Sequence, residues 1–435
     1  MKKASLKCGV AAVAGALCLA AGSFSISVVS ASAELPVVSY GVNVLAAKTD
    51  MAVSAPIGNE VVFSADAFAR ALNLSKVDYI TVKSVPSAEQ GELLLGSTRV
   101  AAGQTVSAEN LPYMTFCAAT DGAVHASFTF SANGSPTAVV CNIYLLDEVN
   151  YTPTVSMASS LSLNRSTYKG LAVHGTLSAY DPDGDGLIFE IVSYPKNGSV
   201  KLTDASLGSY IYTPSSGYVG SDSLTYVARD KYGNYSAAAT VRFQVAVSGT
   251  SVTYVDMQDS PAYGAALALT EAGVMSGTQV GNRYYFNPEE SVSRVEFLVM
   301  AMHAAGIRDL PVSQQTVFDD DAEIPESMKG FVAAAHELGY ISGTLHNGKL
   351  CFLPNESITR AQAAVMLGNL LELSDAPVTP TFADGSEIPV WAQDAIYSLN
   401  AAGIMTGNQG YIAPTATLTR AQTAQMLAAV MEYVE

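Results

Sequence analysis

Three arginines stand at equivalent places in the C-terminal third of the chain, each at the predicted start of an apolar helix. A Ser or Thr precedes each arginine, and a Glu or Gln stands three residues after that Ser or Thr. This spacing is a capping box, in which the hydroxyl accepts from the third helical amide and the Glu or Gln side chain returns to the cap amide. The three sequences are Ser293-Arg294-Val295-Glu296, Thr359-Arg360-Ala361-Gln362 and Thr419-Arg420-Ala421-Gln422.

An arginine at the first helical position is unfavourable, because the helix dipole opposes a cation there by about 0.3–1 kcal/mol. From residue 254 onward the sequence has seven Lys and Arg against 21 Asp and Glu, and three of the seven are these arginines. One interpretation is that each arginine pairs with a carboxylate of its own or a neighbouring copy. The other is that the arginine and the helix N-terminal amides form an anion site. Both hold if the carboxylate orients the arginine.

Clustered carboxylates occur in the run Asp181-Pro182-Asp183-Gly184-Asp185-Gly186. The run begins like an EF-hand loop, but its twelfth position is Val192 instead of the bidentate Glu that such a loop requires. The sequence therefore does not predict an EF-hand. A metal site of another kind and a plain Asp- and Gly-rich turn both remain open.

No pattern in the sequence predicts catalysis, so we expect a protein that is not an enzyme. The five histidines lack metal-ligand spacing, and there is neither a nucleophile elbow nor a glycine-rich phosphate loop. Cys117 and Cys141 fall in one predicted β domain, where export would permit a disulfide. Cys351 lies between Leu350 and Phe352 and is expected to be a buried free thiol.

The N-terminus has the features of a secretory signal peptide, which predicts cleavage after Ala33 and a secreted protein. A basic start with Lys2, Lys3 and Lys7 precedes an Ala-rich apolar run, and Ala31-Ser32-Ala33 offers a small-x-small cleavage site. Loss of three lysines changes the net charge from −17 to −20. A surface this acidic argues against nucleic acid and anionic lipid as partners. No second apolar run approaches the ~20 residues that span a bilayer.

Two consecutive β domains are expected after the signal peptide, over residues 34–148 and 149–250. In the first, short alternating segments such as Ala126-Ser127-Phe128-Thr129-Phe130 are separated by turn signals, which is typical of a β-sandwich. In the second, alternation recurs at Leu187, Phe189 and Ile191 and again at Leu224 and Tyr226. Gly249 to Thr253 is a short polar linker, after which helical spacing replaces alternation.

An internal repeat follows the linker, with copies at 254–311, 312–375 and 376–435. Each copy opens with an aromatic-x-Asp element, and these elements recur at a period of 64 residues. A first helix then ends at a glycine suited to a left-handed position, and the capping box starts a second helix. The openings are Tyr254-x-Asp256, Phe318-x-Asp320 and Phe382-x-Asp384, and the glycines are Gly273, Gly339 and Gly403.

The repeat resembles the S-layer homology (SLH) motif over about 180 residues, and three copies is the usual number for that family. The resemblance implies an all-α, pseudo-threefold triplet that binds a pyruvylated secondary cell-wall polysaccharide at the cell surface or S-layer. It implies that the carboxylate of the pyruvate ketal is contacted by Arg294, Arg360 and Arg420. It also implies that the binding grooves are lined by Asp256, Asp320, Asp384 and Trp391. The Trp of the motif is Tyr263 in the first copy, so the copies are expected to bind unequally.

The segments before the repeat resemble bacterial cadherin-like and immunoglobulin-like sandwiches, which serve mainly as spacers and binding scaffolds. In such sandwiches an acidic turn can bind calcium, and here Asp181, Asp183 and Asp185, with Asp230, are the implied ligands. Two further functions stay open beside wall anchoring. The sandwiches could make the protein an adhesin for another surface protein or a host glycan, or the chain could be a structural S-layer component.

Overall fold

The computed structural model describes residues 50–119, 124–155, 160–308, 315–373, 382–408 and 410–434, with residues 310, 376 and 380. The predicted signal peptide lies outside these residues. The chain divides into two compact units. The first comprises residues up to 155 with 179–193 and 226–238, and the second comprises 156–178, 194–225 and 239–435.

The first unit contains a β-sandwich, as the alternating sequence predicts. One sheet has the strand order β1-β9-β8-β3-β6 and the other has the order β2-β7-β4-β5. Alternate residues of each strand face the core, where Phe128 and Phe130 are buried and the ring of Phe130 contacts that of Phe68 in the helix Ala65–Leu72. The elements are β1 (Asp50–Pro56), β2 (Val61–Val62), α1 (Ala65–Leu72), β3 (Tyr79–Ser84), β4 (Gly91–Leu95), β5 (Thr98–Arg99), β6 (Thr105–Ser107), β7 (Met114–Ala118), β8 (His125–Ala132) and β9 (Val139–Leu146).

The predicted Cys117–Cys141 disulfide is not formed, and Cys351 is a buried free thiol, as expected. Cys117 lies on β7 and Cys141 on β9, which belong to different sheets. Cys141 is part of the core, but on β7 it is the neighbouring Phe116 that faces the core. Because successive side chains of a strand point to opposite faces, Cys117 points away from Cys141. Its sulfur instead lies 3.9 Å from Oε1 of Glu60.

The next strands form the second β region, and most of them belong to the second unit. There β10, β16 and β15 are neighbours in one sheet, and β11, β14 and β13 form another. β12 and the end of β15 belong to the first unit. The elements are α2 (Ser160–Leu163), β10 (Asn164–Tyr168), β11 (Val173–Thr176), β12 (Ile188–Ser193), β13 (Gly198–Asp204), β14 (Ser209–Pro214), β15 (Gly220–Arg229) and β16 (Ala239–Ala246).

Three helical repeats complete the second unit, and they share one apolar core. Helices α3 and α4 belong to repeat 1, α5 and α6 to repeat 2, and α7 and α8 to repeat 3. No helix in the described part of the chain has the length and apolar character needed to cross a membrane. The elements are α3 (Tyr263–Glu271), β17 (Thr278–Val280), β18 (Arg283–Tyr285), α4 (Arg294–Ala304), α5 (Glu326–Glu337), β19 (Thr344–His346), β20 (Lys349–Cys351), α6 (Arg360–Leu371), α7 (Gln393–Ala402) and α8 (Arg420–Val434).

The repeats are not all-α, because repeats 1 and 2 each carry a β-hairpin between their two helices. Hairpin 1 consists of β17 and β18, and hairpin 2 of β19 and β20. The turn of hairpin 2 is Asn347-Gly348, whose φ angles of 53° and 78° suit the two-residue turns that match strand twist. Hairpin 1 has Gly281 at the first turn position, with a φ of 63°. In repeat 3 the described residues form an isolated bridge between Asn408 and Tyr411 in place of a hairpin.

The polar linker is fixed to the first helix of repeat 1 by Glu271. One of its carboxylate oxygens accepts from Ser248 Oγ at 2.7 Å, from Gly249 N at 2.7 Å and from Thr250 N at 3.3 Å. The other accepts from the hydroxyl of Tyr168 on β10 at 3.1 Å. Burial and the adjacent carboxylate raise the pKa of Tyr168 to about 12. Strand β10, the linker and α3 are therefore joined through one side chain.

We expect the substitution Glu271→Gln to lower the free energy of unfolding by about 1 kcal/mol, because these bonds are charge-assisted but largely exposed. The hydrogen bonds lower the pKa of Glu271 in the folded protein against the effect of burial. Its stabilising contribution is therefore present above the unfolded pKa and is lost as the pH falls through the lower folded pKa. Urea unfolding of wild type and Glu271→Gln at several pH values measures this difference in the free energy of unfolding. The substitution Glu289→Gln, at an exposed position, is the control. A wild-type advantage that stays the same from neutral to strongly acidic pH would contradict the assignment.

Candidate functional site

The three capping boxes predicted from the sequence are present. In repeat 1, Ser293 Oγ accepts from Glu296 N at 3.4 Å, and Glu296 Oε2 accepts from Ser293 N at 3.0 Å. Gln serves equally well in the other two repeats, where its Oε1 lies 3.0 and 3.1 Å from the cap nitrogen. The replacement of Glu by Gln therefore leaves the local fold unchanged.

Each of the three arginines reaches across to the next repeat, and the contacts close into a cycle. Nε of Arg294 in repeat 1 donates to Phe352 O in repeat 2 at 3.0 Å. Arg360 in repeat 2 donates in the same way to Ile412 O in repeat 3 at 2.6 Å. Arg420 in repeat 3 returns to Phe286 O in repeat 1 at 2.8 Å. We call these three residues the arginine ring.

Arg420 and Arg360 each make a second hydrogen bond, to a carbonyl at the other end of the loop that their Nε contacts. Nη2 of Arg420 donates to Ser276 O at 2.8 Å, so one guanidinium contacts the residues on either side of hairpin 1, Ser276 and Phe286. Nη2 of Arg360 donates to Thr406 O at 3.1 Å and contacts the shorter loop of repeat 3 in the same manner. These arginines fix the base of a loop against the neighbouring repeat.

The aspartates of the aromatic-x-Asp elements hold the same loops from their N–H side. Each carboxylate accepts from the residue that the arginine contacts and from the residue after it. The bonds run from Phe286 N and Asn287 N to Asp256 at 2.9 and 2.8 Å, from Phe352 N and Leu353 N to Asp320 at 2.9 and 2.7 Å, and from Ile412 N and Ala413 N to Asp384 at 2.9 and 2.7 Å.

The second residue of each pair is left-handed, with φ of 57° at Asn287, 60° at Leu353 and 48° at Ala413. Such a conformation costs a residue with a Cβ roughly 1–2 kcal/mol. The strain recurs at the same position in all three repeats. The two amide bonds to each aspartate hold it in place.

The helix N-terminal amides that a bound anion would need are already paired. Arg294 N, Arg360 N and Arg420 N donate to the carbonyls of Glu356, Ala416 and Glu290 at 2.9, 2.9 and 2.8 Å. The amides one residue further on donate to the carbonyls of Pro354, Pro414 and Pro288. The geometry thus favours a structural role for the arginines, but their hydrogen-bond partners are backbone carbonyls and not the carboxylates that were expected. Direct contact of the arginines with a ligand stays a prediction.

Burial affects the charge of two members of the arginine ring, Arg294 and Arg360. Arg294 is only 7% exposed. Burial lowers the pKa of Arg294, and the charges of Glu356 and Asp320 act in the opposite direction. Arg360 behaves likewise, with Asp384 as the compensating charge. Arg294 and Arg360 therefore each lie near the aspartate of the following repeat, although the arginine and the aspartate bind the same loop instead of each other.

Of the predicted groove residues, Trp391 is the one that faces solvent. It lies in a short 3-10 turn before α7 and is 61% exposed, beside Val390 at 83%. Tyr263, which replaces Trp in repeat 1, is only 9% exposed. The repeats therefore differ in their surfaces, as their sequences suggest.

Three of the four predicted calcium ligands come together in the first unit. The carboxylates of Asp181, Asp183 and Asp185 offer ligand atoms within 4.8 Å of one another. Asp181 Oδ1 accepts from the amides of Asp183 and Asp185, whereas its buried Oδ2 has no hydrogen-bond partner among the described residues. Burial raises the pKa of Asp181. An unpartnered buried carboxylate oxygen within an all-oxygen cluster fits a hard divalent cation.

Asp230, the fourth predicted ligand, lies outside this cluster and has a different task. Its Oδ1 accepts from Tyr232 N and Asn234 N, both at 2.9 Å. Its Oδ2 accepts from Asn150 Nδ2 at 2.6 Å. The neighbouring Lys231 places its ammonium 2.9 Å from Asp185, where it balances part of the negative charge.

Family models match the second β region and the three helical repeats. A family model described as bacterial Ig domain covers residues 150–244, and the S-layer homology domain model covers residues 253–298, 317–364 and 381–424. The chain therefore contains a bacterial Ig domain followed by three SLH motifs, which together with its S-layer relatives indicates a location at the cell surface or S-layer.

Three curated relatives illustrate the range of this group. The chain is 32% identical to an endoglucanase of Bacillus sp. (strain KSM-635), 28% to the surface-layer 125 kDa protein of Lysinibacillus sphaericus and 30% to S-layer protein EA1 of Bacillus anthracis. These alignments cover 38%, 39% and 37% of this chain but only 17%, 14% and 18% of the relatives. The chain thus spans less than a fifth of the length of these relatives.

Proposed function

We propose that the three SLH motifs hold the protein noncovalently on the cell wall by binding a secondary cell-wall polysaccharide. The arginine ring carries this proposal, because it ties three repeats into one body that presents three loops at corresponding positions. Several weak contacts on one rigid body raise the overall affinity through effective concentration. A pyruvate ketal on the polymer would supply carboxylates as the anionic groups.

The β-sandwiches then act as spacer or display domains, and the protein has no catalytic role in this account. An adhesin function would add a glycan or protein ligand to these domains, and a lattice function would add contacts between copies. The glycosidase names among the relatives describe those proteins, which are much longer than the aligned part. Our proposal for this chain is therefore limited to anchoring and display.

Fractionation of cells tests whether the attachment is noncovalent. We expect a chaotrope such as urea to release the protein from washed cell walls at unchanged mass, because it weakens hydrogen bonds and apolar contacts. Detergent that dissolves membranes should leave the protein on the wall. Protein that stays with peptidoglycan after boiling in detergent and urea would contradict noncovalent anchoring.

We propose in addition that Asp181, Asp183 and Asp185 bind a calcium ion. Three carboxylates, one of which has the unpartnered Oδ2 of Asp181, supply oxygen ligands of the kind that Ca²⁺ prefers. The ion would neutralise part of the negative charge and stiffen this turn. Lys231 competes with the cation for Asp185. Because burial raises the pKa of Asp181, proton competition extends to higher pH than for an exposed aspartate.

Calorimetry on the whole protein should detect one calcium ion bound at about 0.1–1 mM, the range of extracellular modules. Asp181→Asn should abolish this binding, whereas Lys231→Gln should tighten it about two- to fivefold by removing a competing charge. Affinity should rise with pH as Asp181 loses its proton. The exposed Asp147→Asn is the matched control. Equal calcium uptake by wild type and Asp181→Asn would leave only a hydrogen-bonded turn.

A further inference from the structure

The SLH region has few positive charges, and most of them have internal partners. Of its seven Lys and Arg, three form the arginine ring. Arg308 donates to Ala272 O at 2.8 Å, and the buried Lys329 pairs with Asp321 at 2.7 Å. The remaining two, Arg283 and Lys349, are exposed, and their side chains make no hydrogen bond or ion pair among the described residues.

These two cations occupy equivalent positions in repeats 1 and 2. Arg283 is the first residue of β18 and Lys349 the first residue of β20, directly after the turn of each hairpin. An exposed apolar residue accompanies each of them, Val280 at 62% exposure and Leu345 at 76%. Repeat 3 has no Lys or Arg in its corresponding loop.

Rigid supports hold both hairpins at their bases. Arg420 contacts the two ends of hairpin 1, and Asp256 accepts the amide of Phe286 directly after β18. Hairpin 2 runs directly into Phe352, whose carbonyl and amide are held by Arg294 and Asp320. A fixed base reduces the ordering cost that a flexible cation would incur on binding.

The surrounding charge makes these positions distinctive. With seven basic and 21 acidic residues, the region carries a formal charge of −14, which repels an anionic polymer at long range. A contact with such a polymer therefore requires cations that are unpaired, exposed and firmly placed. Among the described residues of the SLH region, Arg283 and Lys349 satisfy all three conditions.

Building on the proposed wall binding, we propose that Arg283 and Lys349 are the contacts through which repeats 1 and 2 bind anionic groups of the wall polysaccharide. The arginine ring then consists of positioning residues, which act by holding the hairpins that carry these cations. Repeat 3, which lacks the cation but exposes Trp391, would contribute apolar contact with sugar rings instead.

The test is cosedimentation of the full-length protein and its variants with cell-wall sacculi. Arg283→Ala and Lys349→Ala should each weaken binding about two- to fivefold, and the double variant by the product of the two factors. Reversal to Glu at both sites should weaken binding further, and added salt should shrink every difference by screening. The exposed Lys201→Ala on β13 is the matched control. Unfolding curves should remain those of the wild type.

Two treatments of the sacculi identify the anion. Mild acid removes ketal carboxylates, and hydrofluoric acid removes phosphodiesters. The treatment after which wild type and the double variant bind the sacculi equally identifies the group that the cations contact. If wild type sediments but the double variant sediments equally well with untreated sacculi, the hairpin contacts are refuted while wall anchoring stands. If wild type itself does not sediment, both proposals are wrong.

Discussion

Replacing Arg294 by alanine is expected to lower the free energy of unfolding of the SLH region by about 2–4 kcal/mol. The substitution leaves the carbonyl of the buried Phe352 without its donor, which costs about 1–3 kcal/mol. It also removes the guanidinium from its position 5.4 Å from the centre of the Phe352 ring, and with it the packing of the arginine stem. Urea unfolding monitored by circular dichroism measures the loss.

Two further variants separate hydrogen bonding from charge. Arg294→Lys keeps the cation but cannot reproduce the guanidinium geometry, so it should recover only part of the stability. Arg283→Ala removes an exposed arginine of the same region and should change the free energy of unfolding by no more than about 0.5 kcal/mol. If Arg294→Ala unfolds at the wild-type urea concentration, the arginine ring does not hold the repeats together.

The second large effect is expected at Asp384, which is 7% exposed and accepts two amide bonds from the loop of repeat 3. Hydrogen bonds to a charged group contribute about 1.5–3 kcal/mol each, so Asp384→Ala should lower the free energy of unfolding by about 3 kcal/mol or more. Asp384→Asn keeps one acceptor oxygen, so its free energy of unfolding should lie between those of wild type and Asp384→Ala. The exposed Asp394→Asn on α7 is the control.

A double substitution tests whether Asp384 also holds the strained residue after Ile412. Ala413 has a φ of 48°, a conformation that glycine adopts without steric cost. Ala413→Gly should therefore restore about 1 kcal/mol in the Asp384→Ala protein. If Ala413→Gly destabilises both backgrounds equally, the loop is not under backbone strain, and the account of Asp384 fails.

Local spacing was enough to predict the features that depend on a few neighbouring residues. The capping box at Ser293 involves only Glu296 three positions later, and hydroxyl and carboxylate chemistry dictates the pairing. The alternation of Phe128 and Phe130 likewise fixed a sandwich strand. The period of the aromatic-x-Asp elements marked the repeats without any knowledge of their contacts.

The partners of the arginines could not be obtained in this way. Arg294, Arg360 and Arg420 contact carbonyls 58, 52 and 134 residues away, and only the cyclic packing of the repeats brings these groups together. A carbonyl is present at every residue, so no sequence signal distinguishes the one that is used. Prediction from residue types therefore considered carboxylates and helix amides as partners of the arginine or of a shared anion. In the structure these groups bond to other residues.

Other differences had signals in the sequence that point to them. Asn347-Gly348 between short β-prone segments is a strong hairpin signal, and it indicates hairpin 2 in a region otherwise read as helical. Strand alternation with Phe116 facing the core places Cys117 on the opposite face from Cys141. The role of Asp230 was not predictable, because its oxygens are taken by its own turn and by the distant Asn150.

The most direct test of wall anchoring is cosedimentation of the purified protein with sacculi before and after mild acid removes pyruvate ketals. Because the anionic groups of the polymer are the proposed ligand, the protein should sediment with untreated sacculi and remain in solution after treatment. Circular dichroism of the recovered protein provides the control for folding. Equal sedimentation with both preparations, or none with either, would contradict the conclusion that the SLH motifs bind this polymer.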